Sequence, residues 1–155
     1  MTDHRDPARH YESYRIGEII RGPGITLTES EIIEFAFRYD PQPHHLDKVA
    51  AEKSIYGGMI ASGWQVAATG FRMLVQAGFI GSASMGSNGM SNLTFHMPVR
   101  PGDTISGEVE ITEKRESKSR PELGLVTMLV RIFNQNGEKV CSWDAVQFVL
   151  KRPAA

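Results

Sequence analysis

Cysteine is almost missing from this chain: Cys141 is the only one in 155 residues. That excludes an internal disulfide framework and suits a reducing compartment. An excess of one charge is also missing, with 17 Lys and Arg against 18 Asp and Glu and a formal net charge of −1. Without a basic stripe there is no electrostatic footprint for nucleic acid or an anionic membrane surface. No apolar run approaches the ~20 residues that span a bilayer. The polar stretch Met1 to Tyr14 contains no apolar core of a signal peptide, so a cytoplasmic location is expected. Internal repeats, low-complexity tracts and interdomain linkers are absent as well. Residues 1–14 read as a loose or draped arm and residues 15–152 as a single domain. The Gly57-Gly58 pair has no Walker or dinucleotide-binding spacing around it and reads as turn geometry.

What is present is concentrated between Tyr39 and Asp47, which read Tyr-Asp-Pro-Gln-Pro-His-His-Leu-Asp. Two acids, two imidazoles and two prolines share this short stretch. Proline lacks the N–H and pushes its predecessor out of the α region, so the segment is expected to be a stiff loop holding Asp40 and His45 in fixed relative positions. Imidazole titrates near neutral pH and a carboxylate can orient it, the pairing that acid/base chemistry requires. His44 is expected to point away from His45. Asp47 reads as a helix cap. A metal site built from Asp40, His44, His45 and Asp47 is disfavoured, because one stiffened loop would supply nearly every ligand.

The rest of the chain supplies a scaffold. Tyr14 to Ile20 suits a short strand, and Pro23-Gly24 a turn. Thr28 and Glu31 have capping-box spacing before a helix carrying Ile32, Ile33, Phe35, Ala36 and Phe37. Asp47 opens a second short helix, Lys48 to Lys53. Trp64 to Ala77 is apolar or small on nearly every face and predicts a buried central helix stopped by Gly78. From about Ser84 the period changes to that of strands. Met85 to Met97, Ile105 to Thr112, Leu125 to Phe133 and Val140 to Leu150 are separated by Pro101-Gly102-Asp103, a charged loop from Lys114 to Glu122, and the hairpin signal Asn136-Gly137. Cys141 lies in the last strand and reads as a small packed hydrophobe. The class is α+β, a strand meander over a helix.

This order, together with three landmarks, resembles the hot dog fold, an antiparallel β-sheet wrapped around a long central helix. Within it the chain is similar to the MaoC-like dehydratases, also called (R)-specific enoyl-CoA hydratases. Their signature Asp-x-Asn-Pro-x-His is matched by Asp40-Pro41-Gln42-Pro43-His44-His45. Gly58-Met59-Ile60-Ala61-Ser62-Gly63 matches the turn that opens their central helix. Phe95-His96-Met97-Pro98 through Pro101-Gly102-Asp103-Thr104 matches their later strand entry. The likeness covers roughly residues 15 to 150. Gln42 departs from the usual asparagine, Ser62 from a common histidine, and Ala68 from a serine that some members carry.

The resemblance implies that Asp40 and His45 hold one water and add it across the double bond of a trans-2-enoyl thioester, the carrier being coenzyme A. Backbone N–H groups near Gly63 and Trp64 would stabilise the thioester oxygen, since a helix N-terminus offers unpaired donors. Gln42, Pro43, Tyr56, Gly58, Ile60, Ser62 and Trp64 are the expected substrate-binding residues. His96 is expected to line the site or serve structure. No cofactor or metal is expected. The implied partners are the acyl-CoA substrate and further copies of the chain, as a homodimer or higher homo-oligomer, with no nucleic acid and no membrane. Two alternatives stay open at this point: a thioesterase of the same fold, and a non-catalytic acyl-thioester-binding protein.

Overall fold

The computed structural model describes residues 6–154. The first five residues of the expected arm lie outside the described residues. In chain order the elements are β1 (Ile19–Arg21), β2 (Ile25–Thr26), α1 (Glu29–Tyr39), α2 (Pro43–Leu46), α3 (Lys48–Glu52), α4 (Gly63–Gln76), β3 (Ser84–Phe95), β4 (Thr104–Glu116), β5 (Leu123–Phe133) and β6 (Lys139–Leu150). The strands form a six-stranded antiparallel sheet ordered β1-β4-β5-β6-β3, with β2 also pairing to β4. Alternation sets the inner face. Ile105, Gly107, Val109 and Ile111 of β4 are buried while their neighbours face outward, as a period of two requires. A register shift after Ile111 ends this alternation. Cys141 packs in the core, where burial pushes its thiol up to about 11.

Helix α4 lies against this inner face at very short range. A Cβ on Gly70 would fall 2.4 Å from Cδ1 of Ile132, and Ile132 pairs with Gly107 across β4 and β5. A side chain at this position would force the Ile132 side chain to move. Gly70→Ala should therefore destabilise the fold by about 1–2 kcal/mol in urea titration, the overpacking penalty exceeding the gain in helix propensity. A neutral or stabilising result would mean that this contact does not set the helix–sheet distance.

Three expectations are corrected, and the arm expected to be loose or draped proves draped. The first strand covers only Ile19–Arg21, because Gly17 turns the chain in the left-handed region (φ 82°) just before it. The arm, where described, is draped and tied down: the Tyr14 ring is buried edge-on against Phe79, and the Arg9 guanidinium reaches Glu18 at 3.0 Å. The charged loop begins only after β4 has carried Lys114 to Glu116 into the sheet, and Lys114 donates to the Tyr14 carbonyl. Finally, α4 is not buried all round. Trp64, Phe71 and Val75 are 59%, 44% and 40% exposed. They lie seven and four residues apart, one stripe along an open side of the helix. The edge strand β3 is likewise open, with Met85, Met90 and Phe95 exposed.

Candidate active site

Helix α1 starts with the capping box foreseen from Thr28 and Glu31, and ends where the Asp40 N–H meets the Ala36 carbonyl. The chain then enters a single helical turn, α2, with Pro43 at its first position. A stiff loop was expected here. Proline at a first helical position loses nothing, since its missing N–H would have had no partner. Asp47 caps α3 as foreseen, its Oδ1 accepting from the N–H groups of Val49 and Ala50.

The helical turn also corrects the reading of His44. Successive residues of a helix diverge by only about 100°, given 3.6 residues per turn, so His44 does not point away. Its ring centre lies 4.2 Å from that of His45 and 5.1 Å from that of Tyr56. The turn is pinned to the strand-like segment ahead of α4. Ile60 N–H donates to the His44 carbonyl at 3.2 Å, and His45 Nδ1 lies 2.8 Å from the Ile60 carbonyl oxygen. A carbonyl only accepts, so Nδ1 carries a proton and a neutral ring has its lone pair on Nε2. That nitrogen faces Asp40 Oδ2 at 3.3 Å, longer than the roughly 2.7–2.9 Å of a charge-assisted bond.

Asp40 itself is held from two sides. Gln42 Nε2 donates to Oδ1 at 2.7 Å and Ser62 Oγ to Oδ2 at 2.6 Å. Burial pushes the Asp40 carboxyl up, but the bonds from Ser62 and Gln42 and the charges on His45 and His44 outweigh it, leaving it below the usual range. Burial and the neighbouring His45 both push His44 down against the opposing pull of Asp40. The pair is thus an ionised carboxylate beside an imidazole with one committed nitrogen.

These groups open into a cavity of about 470 Å³. Of the expected residues, Asp40, His45, Gly63, Gln42, Tyr56, Ile60 and Trp64 line it. Pro43 does not; it starts α2. Gly58 does not; it lies against the guanidinium of Arg100. Ser62 is fully buried and does not reach the cavity. His96 lines it, with Nε2 2.8 Å from the Ser142 hydroxyl. Phe95, Met97, Val99 and Val140 were not foreseen as lining residues, because they come from the end of β3, the segment after it and β6, which only packing brings to one wall. Gly63 must be small, since a Cβ there would fall 2.6 Å from the Phe95 ring.

A second cavity of about 570 Å³ lies between α4 and the sheet. Phe71, Leu74, Met90, Met128 and Trp143 are among its mostly apolar walls, and Trp64 borders both cavities. Sequence offered no signal for this space. Among the described residues, no three His, Cys, Asp or Glu side chains gather in a way that would hold a metal, and no helix is long and apolar enough to cross a membrane.

The model of the MaoC like domain matches residues 13–131. The (R)-specific enoyl-CoA hydratase of Aeromonas caviae is 30% identical over 121 residues, 76% of this chain and 82% of the relative. A Bacillus subtilis (strain 168) protein known as Uncharacterized protein YdeM is 33% identical over 129 residues, 83% of this chain and 90% of the relative. The crystal structure of the MaoC-like dehydratase from Rhodospirillum rubrum superposes with a TM-score of 0.84 at 34% identity, covering 94% of this chain and 99% of that one. On these matches the chain belongs to the MaoC-like family of dehydratases and hydratases and has the hot dog fold.

Proposed function

We propose that this protein reversibly hydrates trans-2-enoyl thioesters, carried by coenzyme A, to 3-hydroxyacyl thioesters. The observation that carries this reading is the tautomer of His45. With Nδ1 committed to the Ile60 carbonyl, the lone pair on Nε2 and an ionised Asp40 oxygen face each other. Two acceptors repel unless protons lie between them, and a water with two O–H groups supplies them. Its oxygen then presents a lone pair to the cavity. In the forward step that oxygen bonds to the β-carbon and one of its protons passes to the Asp40–His45 pair. The π electrons shift onto the thioester oxygen. The enolate collapses as the pair returns the proton to the α-carbon, so H and OH add across one face. The N–H groups opening α4 beside Gly63 have no intrahelical acceptor and would take the charge on the thioester oxygen, a contribution worth ~10²–10³ in rate.

The second cavity suits the hydrocarbon tail. Each buried CH₂ is worth about 0.8 kcal/mol, so kcat/KM should rise about fourfold per added methylene until the space fills. Ala145, on its wall, provides the check: Ala145→Phe should flatten the chain-length profile while leaving crotonyl-CoA turnover within about twofold. A profile that stays steep would place the tail elsewhere. The exposed Trp64–Phe71–Val75 stripe and the open β3 edge favour a second copy of the chain as their cover, since unpaired strand edges and apolar stripes rarely stay bare. Light scattering reads this directly, and a monomer at micromolar concentration would refute it.

The deciding experiment follows the loss of the conjugated enoyl-thioester absorbance alongside free thiol release. Hydration without thiol supports the reading. Thiol release would favour a thioesterase, and binding without turnover a non-catalytic acyl-thioester protein.

A further inference from the structure

Ser62 is the residue whose placement the hydration reading does not yet use. It stands at the N-cap of α4, a position serine favours because its oxygen can accept from the N–H groups of the first turn. Two other caps in this chain do that work: Thr28 accepts from Glu31 on α1 and Asp47 from Val49 and Ala50 on α3. Ser62 makes no such bond. Its hydroxyl reaches instead across 22 positions to Asp40 Oδ2, at 2.6 Å. A carboxylate only accepts, so Ser62 donates its one proton to Asp40. Being fully buried, it cannot touch a substrate, which revises the expected substrate-binding role.

Asp40 has need of such a donor. It closes the C-terminal end of the eleven-residue α1, where the backbone carbonyls create a partial negative charge that disfavours an anion. It is also largely shielded from water. Gln42 satisfies Oδ1, leaving Oδ2 between Ser62 and His45. With Ser62 on one lone pair, Oδ2 has its other side free for the proton-bearing species that it shares with Nε2.

We propose that Ser62 is a positioning residue for the Asp40–His45 pair, holding the carboxylate ionised and aimed while leaving the first turn of α4 uncapped toward the cavity. Removing a donor that favours the ionised carboxylate makes Asp40 bind a proton more tightly. The midpoint therefore moves to higher pH, by about one unit for a bond to a charged group.

The test has two arms, because the kinetic one rests on the hydration reading and the spectroscopic one does not. Carbon-13 NMR follows the Asp40 carboxyl carbon through a pH titration, the signal being identified by its loss in Asp40→Asn. The pH profile of kcat/KM with an enoyl-CoA is taken in parallel. Ser62→Ala should raise the NMR midpoint and the acid limb together by about one unit, lower kcat about tenfold near neutrality, and leave KM within about twofold. Ser62→Thr should restore both, and Ser62→Cys, a weaker donor of similar volume, should fall between. If Ser62→Ala does not fold, the Cys variant carries the same comparison with a smaller shift. A midpoint that stays put in a folded variant, or a loss confined to KM, overturns the proposal. A midpoint that moves in a chain that hydrates nothing would sink the hydration reading and leave the role of Ser62 standing.

Discussion

Replacing His45 by Ala should lower kcat/KM for a trans-2-enoyl-CoA by ~10²–10⁴-fold, the range for a positioned acid/base group. The expectation follows from geometry rather than from the residue type alone. His45 is buried, its Nδ1 is fixed on the Ile60 carbonyl, and its Nε2 faces Asp40 at 3.3 Å across a cavity wall. Removing the ring takes away the nitrogen that would accept a proton from water under the proposed mechanism, while Asp40 keeps its donors Gln42 and Ser62. Because the ring is buried, some of the loss could come from packing, so a companion variant is needed. Asp40→Asn is nearly isosteric, removes the charge and turns one acceptor into a donor. It should fall by ~10² or more with little change in the unfolding midpoint. Both losses should appear mainly in kcat, since neither group need bind the ground-state substrate. Turnover that survives both substitutions would mean that the water is activated elsewhere.

Tyr14→Ala should cost about 3–5 kcal/mol of stability, as large buried aromatics do. That is a large part of the 5–15 kcal/mol typical of a domain. The ring is fully buried, meets Phe79 edge-on with centres 6.2 Å apart, and carries Arg9 over its face at 4.4 Å. Its hydroxyl donates to the Phe79 carbonyl at 3.0 Å. Tyr14→Phe isolates that bond and should lose only about 1 kcal/mol. Urea unfolding separates the two. A loss below about 1 kcal/mol for Tyr14→Ala would show that the segment before β1 is dispensable to the core, as a loose arm would be. Phe79 follows the end of α4, so this contact also ties the first described residues to the helix that frames both cavities.

Much of the scaffold and the central pair was legible in the residues. Alternation in Ile105 to Ile111 reports a half-buried strand because side chains of a strand point to opposite faces. Thr28 with Glu31, and Asp47 before Lys48, announce helix starts because a side-chain oxygen can satisfy N–H groups that the helix leaves open. Asp40 and His45 could be named as a pair because both sit on one short proline-bearing stretch, and their separation is set by a few local dihedral angles. These are short-range effects, and sequence neighbours carry them.

Other features needed the fold. Ser62 looked like a residue that would meet substrate, and only the packing of α4 beside the end of α1 turned its hydroxyl onto Asp40. His44 seemed bound to point away, until one helical turn brought both imidazoles to the same wall. The apolar stripe of α4 read as buried because a hydropathy pattern reports what a side chain prefers and says nothing of which neighbour is there to cover it. The second cavity is the space left between a helix and a sheet that approach closely at Gly70 and Ile132. Sequence determined the elements, the caps and the pairing of Asp40 with His45, because those depend on bonds within a few residues. Tertiary structure alone decided that the Ser62 hydroxyl meets Asp40 and that a second cavity lies beside α4, because both depend on contacts between segments that only packing brings together.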